Sequence, residues 1–406
     1  MRAHGGGARG RLAAAALALL TCAGCGANAA GSTPTWVPQP DFQAGAAPQP
    51  QLPGQGVPLP QPSSPSSSSG ASPGAPGSSP PSSPAADPSV VATGLNQPTG
   101  LVVLPDGTAL VGERTTGRIY RVQPTAGHKP ELVQTLTVDG SGDGGLLDLA
   151  ISPTYSQDGL VYAYLTTASD NRVVHFAIGG AASVVIAGIP KGATDNAGRI
   201  AFDATGALLT GTGDAGQPAL AASPASLAGK ILRTNDIGQP SPDNPTPGSP
   251  VYARGLRTVD GLCVDARTGA RVAISAGAAN KADEVDVIEA GADYGWPSVT
   301  ASSKAAAATL PAKTPGGQGC ALASGVLAVA TSTGKSVLVA TISDGKVGAF
   351  TSSLDGKYGR LRTVVAGGDG ALWITTDNRG PQGNPIPADD RVVRITSVES
   401  GGSSIV

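Results

Sequence analysis

Leu101-Val102-Val103-Leu104-Pro105-Asp106-Gly107-Thr108-Ala109-Leu110-Val111 places an apolar run, a glycine turn and a second apolar run within eleven residues. The phrase recurs six times between residues 88 and 398. Its turns fall at Asp106-Gly107, Asp158-Gly159, Thr205-Gly206, Thr268-Gly269, Thr333-Gly334 and Asp369-Gly370. A third short strand often follows, as in Gly117-Arg118-Ile119-Tyr120-Arg121-Val122. Short β-branched runs bounded by such turns read as hairpins. Three or four strands cannot bury both faces of their sheet alone, but radial stacking of several sheets can. The expected fold is therefore all-β, a six-bladed β-propeller. Successive turn glycines are 52, 47, 63, 65 and 36 residues apart, against roughly 40–50 for a blade and its loops. The long gaps should hold loop insertions, where function usually sits.

Further strands are expected at Val161–Leu165, Val337–Ala340 and Leu372–Thr375, and Lys304–Ala308 is the one helix-like stretch. Val90-Val91-Ala92 is expected to pair near Val392-Val393-Arg394-Ile395 and close the ring, which removes free sheet edges.

Residues 1–25 read as a signal rather than as fold. Arg2, Arg9 and Arg11 precede the Leu12–Leu20 Ala/Leu run, which is too short to span a bilayer. Ala23-Gly24 then precede Cys25, a lipobox-like site that resembles those of bacterial lipoproteins. The expected location is extracytoplasmic, anchored to the cell membrane by lipid on Cys25. Cys22 is the weaker candidate, because Thr21 before it suits cleavage poorly. Residues 26–87 are rich in Pro, Ser, Gly, Ala and Gln and hold no Lys or Arg. Such a segment buries too little apolar surface to offset its ordering entropy, so a disordered tether is expected. A domain at 88–398 follows, with 399–406 as a flexible tail. Cleavage at Cys25 leaves Cys263 and Cys320. An even pair in an exported chain favours a disulfide between them, with two buried thiols as the alternative.

The signal contributes three of the 27 basic residues and none of the 29 acidic ones, so the mature chain carries a net charge of −5. With no basic run and few aromatics, the electrostatic footprint of nucleic-acid binding is absent. A monomer is expected.

The most specific local segment is Asp283-Glu284-Val285-Asp286-Val287-Ile288, followed by Gly291-Ala292-Asp293-Tyr294-Gly295-Trp296-Pro297. It resembles the D-E-L-N…G-x-N-Y-G-W-P stretch of the glucose/sorbosone dehydrogenase family. Other segments agree in order: Leu104–Gly107 with Val111–Arg114, Gly142–Leu147, Gly213-Asp214, Leu227–Arg233, Asp243–Pro245, and Gly359–Arg362 before Gly368–Leu372. The similarity covers nearly all of 95–397. Ser152–Asp158 and Asp170–Val174 carry a closer likeness to a subgroup of actinobacterial envelope lipoproteins. The resemblance implies a six-bladed propeller that oxidises sugars with pyrroloquinoline quinone (PQQ). That cofactor carries three carboxylates and calls for Arg or Lys, commonly with Ca²⁺. A base must take the hydroxyl proton while hydride leaves for the quinone.

Carried onto this chain, the family pattern places Asp195 where its catalytic His stands, making Asp195 the candidate base. Arg257, Arg360 and Arg362, with Asp143, are the candidate cofactor-binding residues. Asp283 and Glu284 are the candidate Ca²⁺ ligands. The chain departs from the pattern at 195, at Thr258 and Asp260 in the cofactor loop, at Ser275-Ala276-Gly277, and at Ser343 where a cofactor Lys is expected. His128 and His175 are far from these motifs. Each choice has a plainer counterpart. Arg360 and Arg362 alternate as solvated strand residues do. Arg199 and Arg233 suit blade-edge ion pairs. Acidic loop residues are commonly just exposed, and Tyr294 and Trp296 suit packing between blades. Two functions follow: quinone-dependent oxidation of a sugar, or a non-catalytic propeller that binds an envelope protein or glycan. A lactonase-type metal propeller needs an acidic cage at the channel, and the Asp293–Pro297 segment argues against it.

Overall fold

The computed structural model describes residues 87–277 and 281–396, with the backbone of Val398–Ser400 and Ser403–Ile405. The signal, Cys25 and the tether up to residue 86 lie outside the described residues. Asp87, the last residue assigned to the tether, accepts a hydrogen bond from Tyr358 Oη at 2.9 Å and pairs with Lys357. The final strand pair, Val398–Ser400 with Ser403–Ile405, falls in the stretch expected to be a tail.

Six antiparallel sheets make the ring, each beginning with its axial strand. These axial strands are Pro98–Val103, Leu146–Ile151, Ala197–Phe202, Val259–Val264, Gly317–Ala323 and Leu361–Ala366, defining blades 1 to 6. Each touches the next, and the sixth touches the first. Blade 6 borrows its outer strand from the start of the domain: Val90 lies opposite Val393 and Ala92 opposite Val392, as the sequence suggested. Six apolar clusters fill the six seams between neighbouring blades, so the inner strands of each sheet are covered on both faces.

The hairpin turns have a local cause. Asp106, Asp203, Asp265 and Asp369 each accept the backbone N–H two residues on, and a glycine follows at positive φ. Aspartate bonds its own backbone in turns, and glycine supplies the left-handed conformation. One expected turn is displaced. In blade 5 the corresponding turn is Ser324-Gly325, between Gly317–Ala323 and Val326–Thr331, while Gly334 lies one hairpin later. With Gly325 in the series, the last two spacings become 56 and 45 residues, and the repeat is more even.

Lys304–Ala308 is not helical. Ala307 N–H donates to Val285 O, and Ala308–Thr309 closes blade 4 as a short edge strand. Five residues cannot offset the cost of helix nucleation against that ladder. The helical turns are Tyr155–Asp158 and Pro218–Ala222 instead.

All six axial strands break register within their first few residues, at Pro98/Gly100, Leu146/Asp148, Ala197/Arg199, Val259/Gly261, Gly317/Cys320 and Leu361/Val364. A bulge adds a residue without a partner and re-aims its side chain. Because every axial strand enters from the same end of the ring, the bulged residues converge on one mouth of the central channel.

Candidate active site

Arg199 ties the channel together beneath that mouth. It is 4% exposed. Its Nε donates to Asp260 O at 2.7 Å, and its Nη1 donates to Thr363 Oγ1 at 3.1 Å and lies 3.5 Å from Asp148 Oδ1. Blades 2, 3, 4 and 6 are thereby joined at one guanidinium. The blade-edge role expected for Arg199 is thus corrected, because the bulge at Ala197/Arg199 turns it into the channel. Arg233 is buried on the third strand of blade 3 and shares Asp203 with Arg271 of blade 4, at 3.0 and 2.8 Å. Burial pushes the Asp148 carboxyl up to about 6 against the pull of Arg199.

Above this floor, a cavity of about 270 Å³ is lined by Gln97, Arg114, Asp143, Arg360, Arg362 and Asp377 among others. Arg114 donates to Gln97 Oε1 and to the carbonyls of Gly142 and Gly144, clamping blade 1 to the loop before blade 2. Burial and the charge of Arg362 both pull its pKa down. Asp143 accepts from the Asn196 side chain, and burial raises its pKa. Arg362 donates to Gln318 Oε1 from blade 5. Nε of Arg360 and Nε of Arg362 are buried without a hydrogen-bond partner. Three guanidiniums against two carboxylates, with two unmet donors, suit a compact polyanion.

Beside it lies a second cavity, of about 310 Å³, formed by Thr194, Asp195, Asp214, Gly216, Pro218, Arg257 and Trp296. Main-chain bonds fix its geometry: Asp214 N–H donates to Arg257 O at 2.8 Å, and Ala215 N–H donates to Asp195 O at 3.0 Å. Asp195 has φ of 57°, a left-handed conformation that Asp tolerates better than most residues. Gly213 is required, since a Cβ there would lie 1.8 Å from Asp195 O. Buried Lys230 donates to the carbonyls of Leu220, Ala221 and Ala228, pinning the loop that follows Asp214. Arg257 Nη2 lies 3.4 Å from Asp195 Oδ1, and its guanidinium sits 5.6 Å from the centre of the Trp296 ring. Trp296 Nε1 donates to Asp214 Oδ2 at 2.8 Å. The two cavities meet at adjacent residues, since Asn196 holds Asp143 of the first and Asp195 lines the second.

The structure therefore gathers Asp143, Arg360 and Arg362 in one cavity, and Asp195 and Arg257 in its neighbour. Gln97, Arg114, Gln318 and Asp214 join them. Arg114 and Asp214 stand inside the quoted motifs, but no spacing rule marks them as site residues. Tyr294 and Trp296 divide: Tyr294 is buried in the seam of blades 3 and 4 with its hydroxyl donating to Val287 O, while Trp296 walls the cavity. Ser343 is not at the mouth. It ends a strand of blade 5 and donates to Asp344.

The expected Ca²⁺ site at Asp283 and Glu284 is not formed. Asp283 Oδ2 accepts the backbone N–H groups of Gly316 and Gly317 at 2.9 and 2.8 Å, fastening the start of blade 5. Glu284 faces a small cavity with Arg257, Ser275 and Lys281, where burial raises its pKa. Among the described residues, no group of three or more His, Cys, Asp or Glu is placed to hold a metal.

Asp286, on the same strand as Glu284, is buried. Its Oδ2 accepts from Ser275 Oγ at 2.7 Å, and its Oδ1 has no partner. Burial, with the charge of Glu284, pushes this carboxyl up to about 7. A carboxyl whose folded pKa is raised costs stability once the pH exceeds that value, and the cost fades as pH falls toward the unfolded value. Asp286→Asn should therefore stabilise the protein by about 2 kcal/mol above neutral pH, with the gain vanishing near about pH 4. Thermal melts of both proteins across that range check this, and a pH-independent difference contradicts it.

The Glucose / Sorbosone dehydrogenase family matches residues 95–321. A PQQ-bound aldose sugar dehydrogenase from Streptomyces coelicolor is 38% identical, with a TM-score of 0.71 over 75% of this chain and 95% of that one. An aldose sugar dehydrogenase of Escherichia coli is 26% identical over 52% of this chain, and quinoprotein glucose dehydrogenase B of Acinetobacter calcoaceticus is 26% identical over 52%. This chain spans 62% and 52% of the lengths of those two curated relatives. With a matched region exceeding half the chain and a ring of six blades beneath it, the protein belongs to the glucose/sorbosone dehydrogenase family.

Proposed function

We propose that this protein is an exported lipoprotein that oxidises an aldose, with PQQ as its cofactor. The observation that carries the reading is the cationic cavity, with its unmet buried donors on Arg360 and Arg362. Arg114, Arg360 and Arg362 would hold the three carboxylates of the quinone, with Arg257 at its edge. When bound, that group supplies a two-electron hydride acceptor. The neighbouring cavity receives the sugar. Trp296 offers it an apolar face, Arg257 a donor, and the carboxylates of Asp195 and Asp214 an acceptor for its hydroxyl proton. Export is supported by the Cys263–Cys320 disulfide, which suits an oxidising compartment. Lipid on Cys25 would hold the domain at the membrane.

One observation favours a second reading. The family's His is replaced by Asp195, which is ion-paired with Arg257, and this suits a propeller that binds a glycan or envelope protein without turnover. Purified mature protein should be supplied with PQQ and a panel of aldoses while reduction of an electron-accepting dye is followed. Aldose-dependent reduction is the expected result. Quinone binding with no reduction by any aldose would leave the binding role. Cys25→Ser should move the protein out of the membrane fraction, and retention there contradicts lipidation at that residue.

A further inference from the structure

We propose that Asp214, rather than Asp195, takes the substrate's hydroxyl proton, and that Asp195 is a positioning residue for Arg257. This rests on the oxidation reading above. Both carboxylates line the same cavity, but their partners differ in kind. Asp195 faces a cation: Oδ1 lies 3.4 Å from Arg257 Nη2, and Oδ2 accepts from Thr194 Oγ1 at 3.2 Å. Both of its oxygens are thus engaged, one by Arg257 and one by Thr194. Among the described residues, the hydrogen-bond donors to Asp214 are neutral, the indole N–H of Trp296 and the backbone N–H of Gly216, both at 2.8 Å. It is 1% exposed. Burial raises its proton affinity, the charge of Asp195 adds to this, and Arg257 opposes it. Its backbone is held from both sides, by Arg257 O and by the Lys230 clamp on the following loop. A general base must be held within reach of the proton it takes, and of the two carboxylates Asp214 is the one fixed by neutral donors and a clamped backbone.

In the step itself, Asp214 takes the proton of the hydroxyl on the carbon to be oxidised. The O–H electron pair would become the second C–O bond, and a bound quinone would supply the acceptor for that carbon's hydride and its electron pair. Asp195 keeps Arg257 against Trp296 and orients the substrate's oxygens.

Because the Trp296 indole donates to Asp214, its fluorescence reports that carboxyl without any cofactor. Tryptophan emission of the cofactor-free protein should be titrated from about pH 4 to pH 8 in wild type, Asp214→Asn and Asp195→Asn. We expect a transition above the ordinary carboxylate range that Asp214→Asn removes. Asp195→Asn should move it to lower pH, since a neighbouring negative charge is lost and Arg257 is freed. In parallel, with PQQ and an aldose that wild type turns over, Asp214→Asn should lower kcat by about 100-fold or more. Asp195→Asn should act mainly through KM. Wild-type turnover with Asp214→Asn as active as wild type, or a transition indifferent to residue 214, overturns this assignment alone. Failure of wild type to bind the quinone removes the oxidation reading and the assignment together.

Discussion

Replacing Cys263 and Cys320 together by alanine should lower the protein's stability by about 3 kcal/mol. The bridge joins the axial strands of blades 4 and 5, with a Cα–Cα distance of 5.8 Å and a sequence separation of 57. Closing a loop of that length removes roughly 4 kcal/mol of entropy from the unfolded chain, and measured effects usually fall somewhat below this. Both cysteines also pack in the apolar seam between the two blades, so their loss removes burial as well as the crosslink. Chemical denaturation under non-reducing conditions should show an earlier midpoint, with a drop in Tm on the order of 5 °C or more. Wild type treated with a reductant should move toward the variant. An unchanged midpoint in both would mean that the ring's seams carry the fold without the crosslink.

The second large effect is expected at Arg362. It reaches the channel from a bulge, donates to Gln318, and leaves a buried Nε unmet. Arg362→Gln should weaken PQQ binding by about 100-fold or more, since a charge-assisted donor in a desolvated pocket is removed. Arg362→Lys keeps the charge but loses the planar fork, and should lie between the two. The substitution has a cost in the cofactor-free protein as well, because Arg362, with Arg199, offsets the burial of Asp260. Melting curves of the cofactor-free variants separate that cost from lost affinity. Equal PQQ affinity in a folded Arg362→Gln protein would place the quinone elsewhere.

The architecture was legible because its signals are local. Asp and Gly mark hairpin turns within a few residues, alternating apolar runs mark strands, and Val90–Ala92 could be matched to Val392–Ile395 by composition. Blade 5 misled because Thr333-Gly334 carries the same turn chemistry as Ser324-Gly325, and nothing local ranks one above the other. The candidate site was legible in part. Arg257, Arg360, Arg362 and Asp143 were found through family motifs, and they do lie at the channel mouth. What could not be read was the bulge at the start of each axial strand. A bulge exists only relative to the partner strand, so single-strand alternation puts Arg199 at a blade edge when it lies at the axis. Asp283 misled for a related reason: its carboxylate is consumed by Gly316 and Gly317, more than thirty residues away in sequence. Asp214 carries no local mark in Gly213-Asp214, since the indole that makes it a site residue is 82 positions downstream.

The guanidinium-lined cavity at the channel mouth is proposed as the seat of a tricarboxylate quinone. Calorimetric titration of PQQ into the purified mature protein tests it most directly. Saturable binding at one site per chain is expected, weakened in Arg362→Gln. Absence of any binding heat, with the protein shown to be folded by its melting curve, would contradict it.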